Sequence, residues 1–166
     1  MSTPTGRGNQ AGAGSLALVL ATCAGLGFLP GPTATYASFV VAALLWICGA
    51  PPGAARFAAA GLLLLASSAV GVWAAGRAER RYGSDPHCVV IDEVAGILLA
   101  TYLIPWDLAH LACAFVLFRA FDVVKPPPVY QLQALRAGWG VVADDLAAGA
   151  YTLVLLALAG ALLPGF

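Results

Sequence analysis

The apolar runs of this chain are broken at clusters of prolines and glycines, and that limits its possible folds more than any other feature. The longest run, 54–75, holds 22 residues with Arg56 as its one charged side chain. About 20 apolar residues suffice to cross a bilayer as a helix. Similar runs occupy 35–49, 89–105, 108–123 and 144–163. They are separated by Pro30-Gly31-Pro32, Pro51-Pro52-Gly53, Tyr82–Pro86, Pro105 and Lys125-Pro126-Pro127-Pro128. A proline lacks the N–H a helix needs, and a glycine frees the backbone, so each cluster reads as a turn between helices.

Composition decides what surrounds these helices. Of 166 residues, 61% are hydrophobic and 10% charged, with a mean hydropathy of +0.88. Soluble domains average about 25% charged and 45–50% apolar residues, and one of this length could not hide so much apolar surface. The expected class is therefore all-α: a polytopic integral membrane bundle of about five spanning helices. Residues 15–29 (SLALVLATCAGLGFL) are short for a crossing and add a tilted or re-entrant N-terminal helix. A signal peptide is the weaker reading there, because Thr22 fits a lipoprotein box before Cys23 poorly and apolar sequence resumes downstream. Residues 1–14, rich in Gly, Ser and Thr, read as a disordered tail. Residues 15–166 read as one membrane-embedded domain. A net charge of zero argues against nucleic acid as a partner, since that needs a basic face. Cys23, Cys48, Cys88 and Cys113 lie far apart with no CxxC pair, and read as small apolar side chains.

Charge sets the topology. Counted from the run at 54–75, the 77–85 and 125–143 loops fall on one side of the membrane. That side receives Arg77, Arg80, Arg81, Lys125 and Arg136, against Arg56 and Asp107 opposite. Excess Lys and Arg mark the cytoplasmic side.

The remaining charges gather on that same side. Asp92-Glu93 are expected in the first turn of one helix and Asp144-Asp145 in the first turn of another. A helix N-terminus rewards one carboxylate by about 0.3–1 kcal/mol, which accounts for one acid per helix better than for two adjacent ones. Neighbouring helical residues point about 100° apart, so each pair can direct one acid inward and one sideways. Four converging carboxylates repel unless a cation sits among them. Asp92, Glu93, Asp144 and Asp145 are thus candidate ligands for Mg²⁺, a hard ion held by carboxylate and phosphate oxygens. Arg119, Asp122 and Lys125 recur at i, i+3 and i+6 on one flank of a helix. They read either as an interfacial ion pair with a snorkelling Lys, or as phosphate-binding cations oriented by Asp122, which could equally face the metal. The Lys-Pro-Pro-Pro turn favours the second reading, because it fixes the Lys. His110 reads as structural and His87 as a weak ligand candidate.

Three motifs occur in order. They are Asp85-Pro86-x-x-Val89-Val90-Ile91-Asp92-Glu93-Val94-Ala95-Gly96, Phe118-Arg119-x-Phe121-Asp122-x-x-Lys125-Pro126-x-Pro128, and Gly138-x-Gly140-Val141-Val142-x-Asp144-Asp145-x-x-Ala148-Gly149. Together they resemble the phosphatidylglycerophosphatase A family from about Leu26 to the last helix. The family's N-terminal pattern, Pro-x-x-Pro-Gly-Thr-x-Gly-Ser, is kept at Pro30, Thr35 and Ser38, while Thr33, Ala34 and Ala37 replace a Pro and two Gly. The resemblance implies a Mg²⁺-dependent phosphatase of the bacterial inner membrane, multi-pass, with its active site facing the cytoplasm. Its lipid substrate would be phosphatidylglycerophosphate, converted to phosphatidylglycerol and phosphate. It also implies Asp92, Glu93 and Asp145 as catalytic residues, and substrate contacts from Arg119, Lys125, Asp122, Thr35, Ser38 and Asp85. A cysteinyl-phosphate route lacks its Cys-x5-Arg loop, and histidine-nucleophile signatures are missing, so metal-assisted attack by water is expected. A CDP-alcohol phosphotransferase lacks its Asp-x2-Asp-Gly pattern here. A small transporter or channel would need acids at mid-helix positions, which are bare.

Overall fold

Apolar sequence folds into helices because a chain without water must satisfy its backbone internally. The computed structural model describes residues 7–51, 53–83 and 86–163. Among these no strand occurs, and the helices are α1 (Arg7–Ala21), α2 (Thr33–Cys48), α3 (Ala54–Tyr82), α4 (Ile91–Ala100), α5 (Leu108–Val124), α6 (Val129–Leu132) and α7 (Trp139–Leu162). A 3₁₀ turn at Leu26–Phe28 follows α1. The all-α expectation holds. Helix α1 takes in the second half of the expected tail, and residues 1–6 lie outside the described residues.

Boundaries moved where side-chain contacts between nearby residues extend or end a helix. Helix α3 continues to Tyr82 through the basic stretch expected as a loop. The Arg77 guanidinium lies over the Trp73 ring at 4.1 Å, and Arg80 Nε donates to the Gly76 carbonyl one turn back. Helix α4, expected over 89–105, has only 10 residues. Thr101 ends it: the Thr101 hydroxyl bonds the Ile97 carbonyl at 2.8 Å, and the Trp106 indole N–H bonds the Thr101 carbonyl at 3.2 Å. Such back-bonding competes with helical propagation, and Ile104 and Trp106 then turn into the core. By length and composition, α3 and α7 can cross a membrane. At 16 and 17 residues, α2 and α5 fall a little short of the usual 20 or so.

The short α4 is the centre of the molecule. It packs against α2, α3, α5 and α7, and seven of its ten residues are buried, including Asp92 and Glu93. Ile97, Ala100, Phe118 and Ala148 form the core where α4, α5 and α7 meet. Large apolar side chains such as Leu62, Leu65, Ile47 and Val116 face outward. The four cysteines are free.

Candidate active site

The site is built on a close helix crossing. A Cβ added at Gly96 would lie 2.5 Å from the Phe118 ring and 3.0 Å from the Asp145 carbonyl, and one at Gly149 would strike the Gly96 carbonyl. Only glycine lets α4 and α7 approach this far. Asp92 precedes Gly96 by four residues and Asp145 precedes Gly149 by four, so each acid shares a helix face with its glycine. The crossing that joins the glycines therefore sets the two acids opposite each other.

Around them the charges interlock. Arg119 Nη1 lies 2.6 Å from Glu93 Oε1 and 3.0 Å from Asp122 Oδ2. Lys125 Nζ lies 2.6 Å from Asp144 Oδ2 and 3.9 Å from Asp122 Oδ1. Ser38 Oγ sits 2.7 Å from Glu93 Oε2 and 2.8 Å from the Ala34 carbonyl, its single O–H shared between them. The 100° offset expected within each acidic pair is visible: Asp144 turns to Lys125 while Asp145 joins Glu93 and Asp122, and Glu93 turns to α2 and α5. Lys125 ends α5 in the left-handed conformation (φ 47°), its N–H bonded to the Phe121 carbonyl. Burial disfavours the Lys125 ammonium, but the hydrogen bond and charge of Asp144 outweigh it and hold its pKa above the usual value.

Asp144 and Asp145 do not sit in a first turn. Helix α7 begins at Trp139, five residues earlier than expected, because Gly138 (φ 81°) caps it and donates its N–H to Glu79 Oε2 of α3 at 2.8 Å. The macrodipole's pull fades beyond the first turn. Helix-end stabilisation therefore does not explain this acidic pair, and interactions across the site must.

Among the described residues, the five acids Asp92, Glu93, Asp122, Asp144 and Asp145 share a cavity of about 420 Å³ with two permanent cations, Arg119 and Lys125. Two buried oxygens, Asp92 Oδ1 and Asp145 Oδ2, have no hydrogen-bond partner among the described residues. One carboxylate oxygen from each of Glu93, Asp122 and Asp145 falls within 4.8 Å of the others. That spread is little wider than twice the 2.0–2.1 Å distance at which Mg²⁺ binds oxygen. An excess of buried carboxylates, two with idle lone pairs among the described residues, fits a divalent cation.

The remaining expected residues fall in different places. Ser38 is buried and holds Glu93 rather than opening to the cavity. Thr33, not Thr35, lines the cavity, and its hydroxyl donates to the His87 carbonyl at 3.1 Å. His87 lines the cavity as well. Asp85 lies outside the described residues. Asp122 belongs to the carboxylate cluster, whereas its spacing to Arg119 made it read first as a pairing residue. His110 lies on the other side, its ring and backbone N–H both bound to Asp107, the N-cap of α5. Burial first, then the Asp92 charge, pushes the Cys23 thiol up to about 11, which leaves it unfit as a nucleophile near neutral pH.

Comparison with known proteins bears on this site. A family model described as "Phosphatidylglycerophosphatase A" matches residues 19–160. A Bacteroides thetaiotaomicron protein, named provisionally as a phosphatidylinositol-3-phosphatase, is 35% identical over 153 residues, covering 87% of this chain and 93% of that protein. A Haemophilus influenzae protein named phosphatidylglycerophosphatase A is 36% identical over 78 residues, covering 43% of this chain and 45% of that protein. No solved structure matches.

Proposed function

The chain belongs to the phosphatidylglycerophosphatase A family and is a phosphatase; from that premise we propose that it hydrolyses phosphatidylglycerophosphate to phosphatidylglycerol and inorganic phosphate, dependent on Mg²⁺. The observation that carries this reading is the pair of partnerless oxygens, Asp92 Oδ1 and Asp145 Oδ2, on crossing helices beside Arg119 and Lys125. Asp92, Asp145, Glu93 and Asp122 would hold the ion, which supplies counter-charge and Lewis acidity toward phosphoryl oxygens.

The chain's own groups do the rest. Arg119 has five N–H donors and Lys125 three, so each keeps donors for phosphoryl oxygens after engaging its acids. Ser38 and Arg119 fix Glu93 from two sides. A carboxylate oxygen of Asp92 or Asp145 that does not hold the ion takes a proton from the attacking water. The new P–O bond forms as the ester P–O bond breaks, the departing glycerol oxygen takes a proton from solvent, and the carboxyl returns its own to solvent. Buried walls around α4 keep bulk water from the charges, which strengthens every contact made there.

The protein is placed in the bacterial inner membrane, multi-pass, with the site facing the cytoplasm. Two helices long and apolar enough to cross support this placement, as does the gathering of basic residues at the site's end of the helices, Arg80 and Arg81 in the last turn of α3 and Lys125 at the end of α5. Helix α4 and the 101–107 segment together make one of about five crossings.

A second lipid deserves the same assay, because the Bacteroides relative carries a phosphoinositide name over nearly its whole length. The test is phosphate release by the purified protein from phosphatidylglycerophosphate and from phosphatidylinositol 3-phosphate, with Mg²⁺ or with chelator. Release with Mg²⁺ alone, strongest on phosphatidylglycerophosphate, is expected, with Asp92→Asn and Asp145→Asn each slower by at least about 10²-fold. Full activity in chelator would overturn the metal assignment, and preference for the inositol lipid would replace the substrate.

A further inference from the structure

Helices α2 and α5 line both the catalytic cavity and a neighbouring apolar groove. On α2 the i, i+4 ladder Ala34, Ser38, Ala42 begins at the cavity wall, passes the Glu93 contact and ends on the groove floor. On α5 the corresponding ladder is Arg119, Phe115, Leu111, which leaves the cavity and enters the groove within one turn of about 5.4 Å.

The groove itself holds about 270 Å³ and no polar lining surface. Alanines 42, 43 and 112 leave it concave. Phe39 and Phe115 meet edge to face at 6.0 Å at the end nearer the catalytic cavity. Ile47 and Leu108 close the far end. From Phe39 to Ile47 the helix rises about 12 Å, close to the roughly 15 Å of hydrocarbon in one leaflet.

We propose that the α2–α5 groove is the subsite for one acyl chain of the lipid phosphate, so that the phosphate at Arg119 and Lys125 and the chain between α2 and α5 are held along the same pair of helices. The proposal rests on the hydrolase reading above and adds to it what selects a lipid over a water-soluble phosphomonoester of the same headgroup. The chemistry matches along the surface: cations and carboxylates at the phosphate end, then a lining of hydrocarbon and aromatic rings alone.

The test narrows the groove without touching the acids or their partners. Ala43→Phe and Ala112→Phe are assayed on a long-chain diacyl phosphatidylglycerophosphate and on a short-chain, monomeric analogue with the same headgroup. Expected is a KM raised roughly tenfold on the long-chain lipid, the loss of about two buried methylenes, with kcat and KM on the short-chain analogue unchanged. Equal changes on both substrates, or none on either, overturn the proposal. So does a shift in oligomeric state without any change in chain-length selectivity, which would assign the groove to a second copy of the chain. A wild-type protein inactive on both substrates sinks the hydrolase reading alone. In that event labelling by a long-chain lipid phosphate with a photoreactive acyl chain still decides the groove: α2 and α5 peptides carry the label in the wild type and lose it in the two variants, and label elsewhere overturns the subsite.

Discussion

Asp145 Oδ2 and Asp92 Oδ1 are buried acceptors to which no described residue donates, and a buried charge without a partner destabilises a fold. Metal-free Asp145→Asn is therefore expected to unfold no earlier than the metal-free wild type. Added Mg²⁺ reverses the order, since an ion at 100 times its Kd stabilises the native state by about 2.7 kcal/mol, and the variant lacks a ligand. Unfolding midpoints with and without Mg²⁺ check this, and an equal shift in both proteins would remove Asp145 from the site. Ser38→Ala tests a positioning role instead. It removes a hydrogen bond worth about 1 kcal/mol, and it is expected to lower kcat several-fold with KM nearly unchanged, because Ser38 touches Glu93 and not the cavity. At this scale the sequence was readable for the adjacent acids and for Lys125, whose charges have no other use in an apolar chain. Asp122 was harder to place, since its i, i+3 spacing to Arg119 explains it as a simple pair, and that pair does exist. Its proximity to Glu93 and Asp145 depends on how α5 packs on α4, which no local spacing encodes.

Helices were legible as apolar runs, but their ends and depth of contact were set by neighbours. The early start of α7 depends on Glu79 of α3, 59 residues from Gly138, and the early end of α4 on Thr101 and Trp106. The repeated Asp-x3-Gly spacing, 92/96 and 145/149, was open to view in the sequence. It gains meaning only when the two glycines are found in contact, because small residues at that spacing also serve helix packing of no catalytic consequence. Gly149→Ala puts a methyl against the Gly96 carbonyl, where backbone must shift. It is expected to cost about 1–3 kcal/mol and to lower activity as the acids part. Gly61→Ala is the matched control, since its Cβ meets the Tyr102 side chain at ordinary contact distance, 3.5 Å from the hydroxyl and 3.8 Å from the ring. A gain of up to about 1 kcal/mol from helix propensity with unchanged activity is expected there. Denaturation midpoints and phosphate release measured on both variants separate the crossing from glycine loss in general.

The molecule as a whole gathers its titratable chemistry at one end, and whether that end faces one compartment depends on which helices cross. Helix α3 at 29 residues and α7 at 24 are long enough. Helix α5 at 17 residues spans about 25 Å, against a hydrocarbon core of about 30 Å. It can cross only if the bilayer thins locally or its ends, Asp107 and Lys125, lie near the headgroups, and such mismatch costs fractions of a kcal/mol per Å. That is affordable for a helix whose buried face, Leu111, Ala114 and Phe118, is fixed against the core. Single cysteines at Leu135, exposed near the site, and at Leu108, exposed at the opposite end of α5, test the crossing directly. In a variant whose four native cysteines are replaced, a membrane-impermeant maleimide should reach position 135 only in inside-out vesicles and position 108 only in intact spheroplasts. Labelling of both positions from the same side would mean that α5 does not cross. The contacts of Arg119 and Lys125 with the acids lie within the fold and would stand, but the five-crossing arrangement would have to be redrawn around α3 and α7 alone.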